Sequence, residues 1–164
     1  MPVSPQNLAA IWRECAAGLG LLARTRCSTP EDCVQEAFLR LAQQASLPPN
    51  PRAWLVQVVR HLAINSARLE SRRISREERY VRMRPEWFIA TEAIDSVGPA
   101  KELELALLQL EPEYREVVVA HIWNGLSFRQ IAEAFEISSS KAHRDYMFAI
   151  ESLRRTMQSI QTER

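Results

Sequence analysis

The chain has 164 residues, 46% of them hydrophobic and 25% charged, a makeup too apolar for a disordered protein and too charged for a membrane-embedded one. Its length suits one domain or two small helical ones. Twenty-one basic and twenty acidic residues leave a formal charge of +1, a total that by itself speaks against a polyanion-binding protein.

Only four glycines occur, and apolar strings such as LELALLQL and REVVVAHIW are bounded by helix-type signals. The chain therefore reads as all-α. A first helix is predicted from about Asn7 to Arg24, with Leu8, Ile11, Trp12, Cys15 and Leu19 on one packing stripe. A second opens at Thr29-Pro30-Glu31-Asp32, where Thr29 is a cap, Pro30 fits the first helical position and two acids face the positive end of the helix dipole. Its buried stripe is Val34, Ala37, Phe38 and Leu41, which leaves Asp32, Gln35, Glu36 and Leu39 outside. On chemistry alone that acidic face reads first as helix stabilisation and solvation, and only second as a docking surface.

After Leu47-Pro48-Pro49, Asn50 and Pro51 repeat the cap pattern, and a long helix is expected from Arg52 to about Ser71. Leu55, Val58, Val59, Leu62 and Leu69 give it an apolar face, while Gln57, Arg60, His61, Asn65 and Arg68 lie largely elsewhere. Charge is sorted sharply here: residues 52–84 hold nine basic and three acidic side chains, and residues 85–116 hold two and eight. Arg72, Arg73, Arg76, Arg79, Arg82 and Arg84 extend the basic block, a run that suits phosphates or is simply a solvated face. Arginine supplies nineteen of the twenty-one cations, and its planar fork suits phosphates and base edges. Periodicity fades over residues 72–100, and Val97-Gly98-Pro99 reads as the end of a linker. Within it, Trp87 and Phe88 are unusual for a tether and are expected to pack on a domain or a partner. The expected division is a helical domain over 1–72, an Arg-rich then acidic linker over 73–100, and a second helical domain over 101–164.

The C-terminal part is predicted to hold helices over roughly 100–109 and from Pro112 to Asn124, the latter ended by Gly125. Ser127 with Gln130 forms a capping box that opens Ser127–Phe135. Glu136-Ile137 makes a turn, and Ser138 or Ser139 caps a last helix to about Met157. Ile131, Ala132, Phe135, Ile137, Ala142, Tyr146, Ala149 and Leu153 supply the inner face, a helix-turn-helix layout. The outward positions of its second helix are Ser140, Lys141, His143, Arg144, Met147 and Phe148, where Arg144 suits guanine and Lys141 suits phosphate. Short helix pairs also arise as plain packing, so the layout leaves both readings open.

Cys15, Cys27 and Cys33 lack a Cys-x-x-Cys spacing and have no histidine at metal-finger distance, so three buried free thiols are expected, with no metal and no cofactor. No nucleophile–base pair or Gly-rich phosphate loop suggests catalysis, and no enzyme activity is expected. Neither a signal peptide nor a run of eighteen apolar residues is seen, so a cytoplasmic protein without membrane insertion is expected.

Three strings, PEDCVQEAFLRLAQ, NPRAWLVQVVRHLAINSAR and LEPEYREVVVAHIWNGLSFRQIAEAFEISSSKAHR, resemble in order and spacing the bacterial sigma factors of the extracytoplasmic-function group, the two-domain minimal form of the sigma-70 family. The resemblance implies a transcription initiation factor whose partners are core RNA polymerase, promoter DNA and, commonly in this family, an anti-sigma factor. Asp32, Gln35, Glu36 and Leu39 then match the face that grips the clamp coiled coil of the polymerase largest subunit. Arg60, Asn65, Arg68, Arg72 and Arg73 become candidates for the minus-ten element and its unpaired strand, with the loop 45–52 where the family forms a pocket for a flipped base. Ser140, Lys141, His143, Arg144, Met147 and Phe148 become the readers of the minus-thirty-five element. The family's usual glycine in the helix-turn-helix turn is Glu136 here, and Asp145, Met147, Phe148 and Ile150 replace cations common along the last helix. Two rival readings stay in view: a helix-turn-helix regulator that works without polymerase, and a sigma-like interaction module that has lost promoter readout.

Overall fold

A computed structural model describes residues 2–77 and 98–162, and seven helices with no strand are found among them. Helices α1 (Pro5–Arg24), α2 (Pro30–Ala42) and α3 (Pro51–Glu77) pack on one another and make the N-terminal half. Helices α4 (Pro99–Gln109), α5 (Pro112–Ile122), α6 (Phe128–Phe135) and α7 (Ser139–Thr162) make the C-terminal half, with α4, α5 and α6 all laid against α7. The basic and acidic side chains of residues 78–97, with Trp87 and Phe88, lie outside the described residues, as does the side chain of Arg76.

Local chemistry explains most helix boundaries. Ser4 accepts from the Asn7 amide at α1, Asn50 Oδ1 from the Ala53 amide at α3, and Ser138 Oγ from the Lys141 amide at α7, each quenching an amide the helix leaves unpaired. Thr29 stands at the cap position of α2, but its side chain makes no capping bond, so Pro30 and the acidic first turn do that work. The expected box at α6 is complete, with Ser127 Oγ taking the Gln130 amide and the Gln130 side chain taking the Ser127 amide. Three boundaries differ most from expectation: α3 continues to Glu77, α7 continues to Thr162, and α5 stops at Ile122. At the last of these the Asn124 amide turns back to the Val119 carbonyl, and Gly125 adopts φ 65°, which a side chain would resist.

The core is one continuous cluster that includes Leu19, Leu22, Leu41, Leu55 and Val59 from the first half and Leu107, Val117, Leu126, Ile131 and Ala149 from the second. It is continuous because the halves dock, α1 against α5 and α3 against α6. At the centre of the seam sits Glu116, only 1% exposed. Arg26 donates to both its oxygens, at 2.7 and 3.0 Å, and Arg60 donates to one at 3.2 Å. The Arg60 guanidinium also covers the Phe135 ring at 4.5 Å. Beside this cluster Asn124 donates to the Gly18 carbonyl at 3.1 Å, and a methyl group on Gly18 would come within 2.8 Å of Asn124 Oδ1.

The turn between α6 and α7 carries its own strain. Glu136 adopts φ 57° and ψ 42°, the left-handed conformation that costs a residue with a Cβ roughly 1–2 kcal/mol. Glu136→Gly is expected to raise stability by about 0.5–1 kcal/mol once glycine's looser unfolded chain is counted. Ser127→Ala, which opens the capping box, is expected to lower it by about 1 kcal/mol; urea midpoints of the two variants check both signs.

Candidate nucleic-acid and partner interface

Three surfaces carry the residues singled out by sequence. On α2, Val34, Ala37, Phe38 and Leu41 are buried as their spacing requires, and this leaves Asp32, Gln35 and Leu39 exposed and Glu36 half-exposed. Leu39 is 59% exposed, a large apolar side chain held out in water. It borders an open groove of about 450 Å³ lined by Leu8, Trp12, Gln35 and Phe38. Trp12, expected to be core, instead stands 42% exposed at the groove wall with its ring edge-on to Phe38 at 4.8 Å. The helical stripe placed Trp12 on the correct side of α1; nothing in the stripe says that the neighbouring helix ends short of covering it. Glu36 pairs with Arg40 one turn on, at 2.7 Å, and Glu31 with Arg24 at 3.0 Å, so the acidic charge of this face sits mainly on Asp32. The backbone amide of Glu31 and the Arg24 guanidinium hold the Glu31 carboxyl below the usual carboxylate range.

The second surface is α3. Asn65, Arg68, Arg72 and Arg73 are exposed along its C-terminal half, as are the apolar Leu69 and Ile74. Leu69 was expected on the packing face, but α3 outruns the helices that would cover it. Arg60 differs from the rest of its set. It points into the seam at Glu116 with its side chain 16% exposed, so the structure does not bring it together with Asn65 and Arg68 on an open face. Its partner lies 56 residues away in sequence, beyond any local pattern.

The third surface is the helix-turn-helix of α6 and α7. Ala142, Asp145, Ala149 and Leu153 face inward, and Ser140, His143, Arg144, Met147 and Phe148 face outward. Lys141 is half-exposed and reaches along its own helix to Asp145, which is 8% exposed, so this cation is held close to the helix surface. Phe148 leans on Tyr114 at 4.6 Å, and His143 meets the Phe128 ring edge-on at 5.0 Å. Phe128 in turn stacks on His121, whose Nδ1 lies 2.8 Å from the Leu126 carbonyl. The aromatic platform fixes the orientation of α7 relative to α6, and with it the direction of the outward side chains. The N-terminal end of α7, with Ser140 and Arg144 exposed beside it, has the polarity that a second helix presents to a major groove.

All three cysteines are free and buried. Cys27 and Cys33 lie with sulfurs 3.7 Å apart, and burial pushes the Cys27 thiol up to about 12 and the Cys33 thiol upward too. No group of His, Cys, Asp or Glu arranged to hold a metal ion occurs among the described residues. No described helix is long and apolar enough to cross a membrane.

Two compact helical units, the second a helix-turn-helix with a polar outward helix, define the class to which the comparisons then give a family. Residues 21–73 match the family model for Sigma-70 region 2, and residues 100–153 match the model for Sigma-70, region 4. The ECF RNA polymerase sigma factor SigJ of Mycobacterium tuberculosis is 31% identical over 120 residues, which is 68% of this chain and 38% of that protein. The chain therefore spans well under half the length of that relative. It belongs to the sigma-70 family, in the extracytoplasmic-function group.

The raised thiol has a consequence for pH. Between about pH 9 and 12 the unfolded chain loses the Cys27 proton and the folded chain keeps it, so unfolding is favoured as pH rises through that window. Wild-type stability is expected to fall more steeply above pH 9 than that of Cys27→Ala, measured by urea titration across the alkaline range. At pH 8 a thiol reagent is expected to label Cys27 only on the timescale of unfolding.

Proposed function

We propose that this protein is a transcription initiation factor that joins core RNA polymerase, directs it to promoters and assists strand opening, acting in the cytoplasm. The observation that carries the proposal is the presence in one chain of two different outward faces: Asp32, Gln35 and Leu39 beside the Trp12 groove on α2, and the His143, Arg144 and Met147 face of α7. A helix-turn-helix regulator working alone would use the second and leave the first without a purpose. An acidic, partly apolar helix face suits a protein partner, with Leu39 and Trp12 as the apolar anchors and Asp32 giving orientation.

In this reading residues 1–72 dock on the polymerase and engage the minus-ten element, residues 73–100 link, and residues 101–164 read the minus-thirty-five element. Asn65, Arg68, Arg72 and Arg73 follow the phosphates and the unpaired strand, where a basic track with room for a flipped base favours single strands over duplex. Ser140 and the amides at the start of α7 hold phosphate, and Arg144 reads a base edge. Met147 and Phe148 offer apolar contact to thymine methyl groups in place of further cations. A reading helix with so few cations releases few counterions, so affinity for the promoter comes largely from the polymerase complex. The factor supplies recognition; polymer synthesis belongs to the core enzyme. An anti-sigma factor covering the α2 face is a further expected partner.

The test is to mix the purified protein with core polymerase, measure complex formation, and follow run-off transcription from genomic fragments. A complex with promoter-dependent transcripts is expected, and no complex would overturn the proposal. The double variant Asp32→Ala, Leu39→Ala is expected to weaken core binding tenfold or more, about 1.4 kcal/mol, with unchanged helicity. Arg144→Ala is expected to cost about 1–3 kcal/mol of discrimination at one position of the upstream element, read by transcription from a randomised promoter library.

A further inference from the structure

We propose that Cys27 and Cys33 are a redox pair, oxidised by a peroxide to a disulfide that staples the first turn of α2 to the end of α1 and pre-orders Asp32 for its partner. The disulfide stands on the geometry of the two thiols; its effect on docking rests on the polymerase-binding reading above.

Neither thiol belongs to the three surfaces described above, yet the fold brings the two together. Cys27 follows the end of α1, where its amide donates to the Ala23 carbonyl at 3.0 Å, and Cys33 lies on the inward side of α2. Their sulfurs are 3.7 Å apart. A disulfide closes that gap by roughly 1.6 Å, which small rotations about both Cα–Cβ bonds and a slight shift of the first turn of α2 supply. The turn that has to shift is loosely held. Thr29 makes no capping bond, and the Cys33 amide reaches the Thr29 carbonyl only at 3.5 Å, whereas the same first bond in each of the other six described helices spans 2.9–3.2 Å. The residues between the two helices, Ser28 and Thr29, are exposed, so fraying of this turn opens the pair toward solvent.

Burial raises both thiols, so neither is a reactive thiolate while the turn is closed. Fraying removes that burial from Cys33 first, and the hydrogen bond from Cys27 favours its thiolate. Cys33 is thus the attacking thiol and Cys27 the resolving one. The Cys33 thiolate attacks one oxygen of hydrogen peroxide, the O–O bond breaks, and Cys33 becomes a sulfenic acid while the departing hydroxide picks up a proton and leaves as water. Cys27 then attacks the Cys33 sulfur, the S–O bond breaks, and the hydroxide departs with the Cys27 proton as a second water. Two thiols and one peroxide give one disulfide and two waters, with two electrons passing from sulfur to oxygen. Because Cys27 is already in place, it closes the bond without any external reagent having to reach it. Asp32 directly precedes Cys33 and is exposed, so a stapled turn spares part of the ordering cost when that side chain meets a partner.

The test treats the reduced full-length protein with hydrogen peroxide, blocks remaining thiols with N-ethylmaleimide in denaturant, and reads the mass before and after trypsin. Both cysteines fall in one tryptic segment, residues 27–40, because no Lys or Arg lies between them, and Cys15 falls in another. Segment 27–40 is expected to lose two hydrogens and take no maleimide, Cys15 to take one, and dithiothreitol to reverse the loss. In the oxidised protein the amides at the start of α2 are expected to exchange with solvent at least about tenfold more slowly, since the opened turn is now tethered. Core polymerase is expected to bind the oxidised protein about threefold more tightly, the scale of a modest saving in ordering cost. Cys33→Ala is expected to abolish these effects of peroxide and Cys15→Ala to leave them; the wild-type segment mass carries the test if Cys33→Ala has lost helicity by circular dichroism. Oxygen adducts without loss of hydrogens, a bond through Cys15, or covalent dimers would overturn the redox pair. A disulfide that leaves exchange unchanged would overturn the staple, and one that leaves core affinity unchanged would overturn the pre-ordering. Absence of any core complex with the reduced protein would overturn the proposed function and the pre-ordering together, while mass and exchange still decide the redox pair and the staple.

Discussion

The relative placement of the two halves depends on one buried carboxylate. Glu116 is almost wholly removed from water, and a charge in that position is tolerated only because both oxygens are taken by guanidiniums. Removing one partner from such a group ordinarily costs about 3–5 kcal/mol, since the remaining charge stays buried without compensation. Apolar contacts around Leu126, Ile131 and Phe135 supply area to the seam but little direction, whereas three hydrogen bonds to one group fix its register. The Asn124 bond to the Gly18 carbonyl, made where the missing Cβ lets the chains approach, fixes it at a second point.

This seam sorts the surfaces. The α2 face with its groove and the outward side of α7 both remain accessible when the halves are docked, so each is available to a partner without rearrangement. The basic track is divided instead: Asn65, Arg68, Arg72 and Arg73 stay outside, and Arg60 is folded in. The near-neutral total charge is one expression of the same sorting. Cations and carboxylates that are separated along the chain meet in space at the Arg26, Arg60 and Glu116 cluster, while other cations remain outward-facing on α3.

What could be read from sequence was whatever a helix determines within a turn or two. The Ser127 and Gln130 box, the Asn50 cap, the buried stripe of α2 and the inner face of α7 all follow from spacing, and all are present. Glu136 illustrates a signal that was visible without its meaning: the residue departs from the glycine usual in related chains, and the left-handed φ supplies the physical reason a glycine would fit. Trp12 and Leu69 were assigned inward by periodicity, which gives a face but not whether a neighbour reaches it. Arg60 and Glu116 were beyond sequence altogether. An arginine on a polar helix face has the same local pattern whether it meets solvent, a phosphate or a glutamate more than fifty residues away.

The sequence distances across the seam also set an order of events. Contacts among α1, α2 and α3 join helices no more than two apart in the chain, and those among α5, α6 and α7 do likewise, so each half closes comparatively short loops early. The bonds that join the halves span 56, 90 and 106 residues and require the longest closures. During synthesis from the N-terminus, Arg26 and Arg60 are made well before Glu116, and until it arrives they are a pair of cations with no internal counter-charge from α5. Docking of the halves thus has the longest closures of any step, and a nascent chain passes through a form in which the charges of Arg26 and Arg60 are not yet balanced by α5.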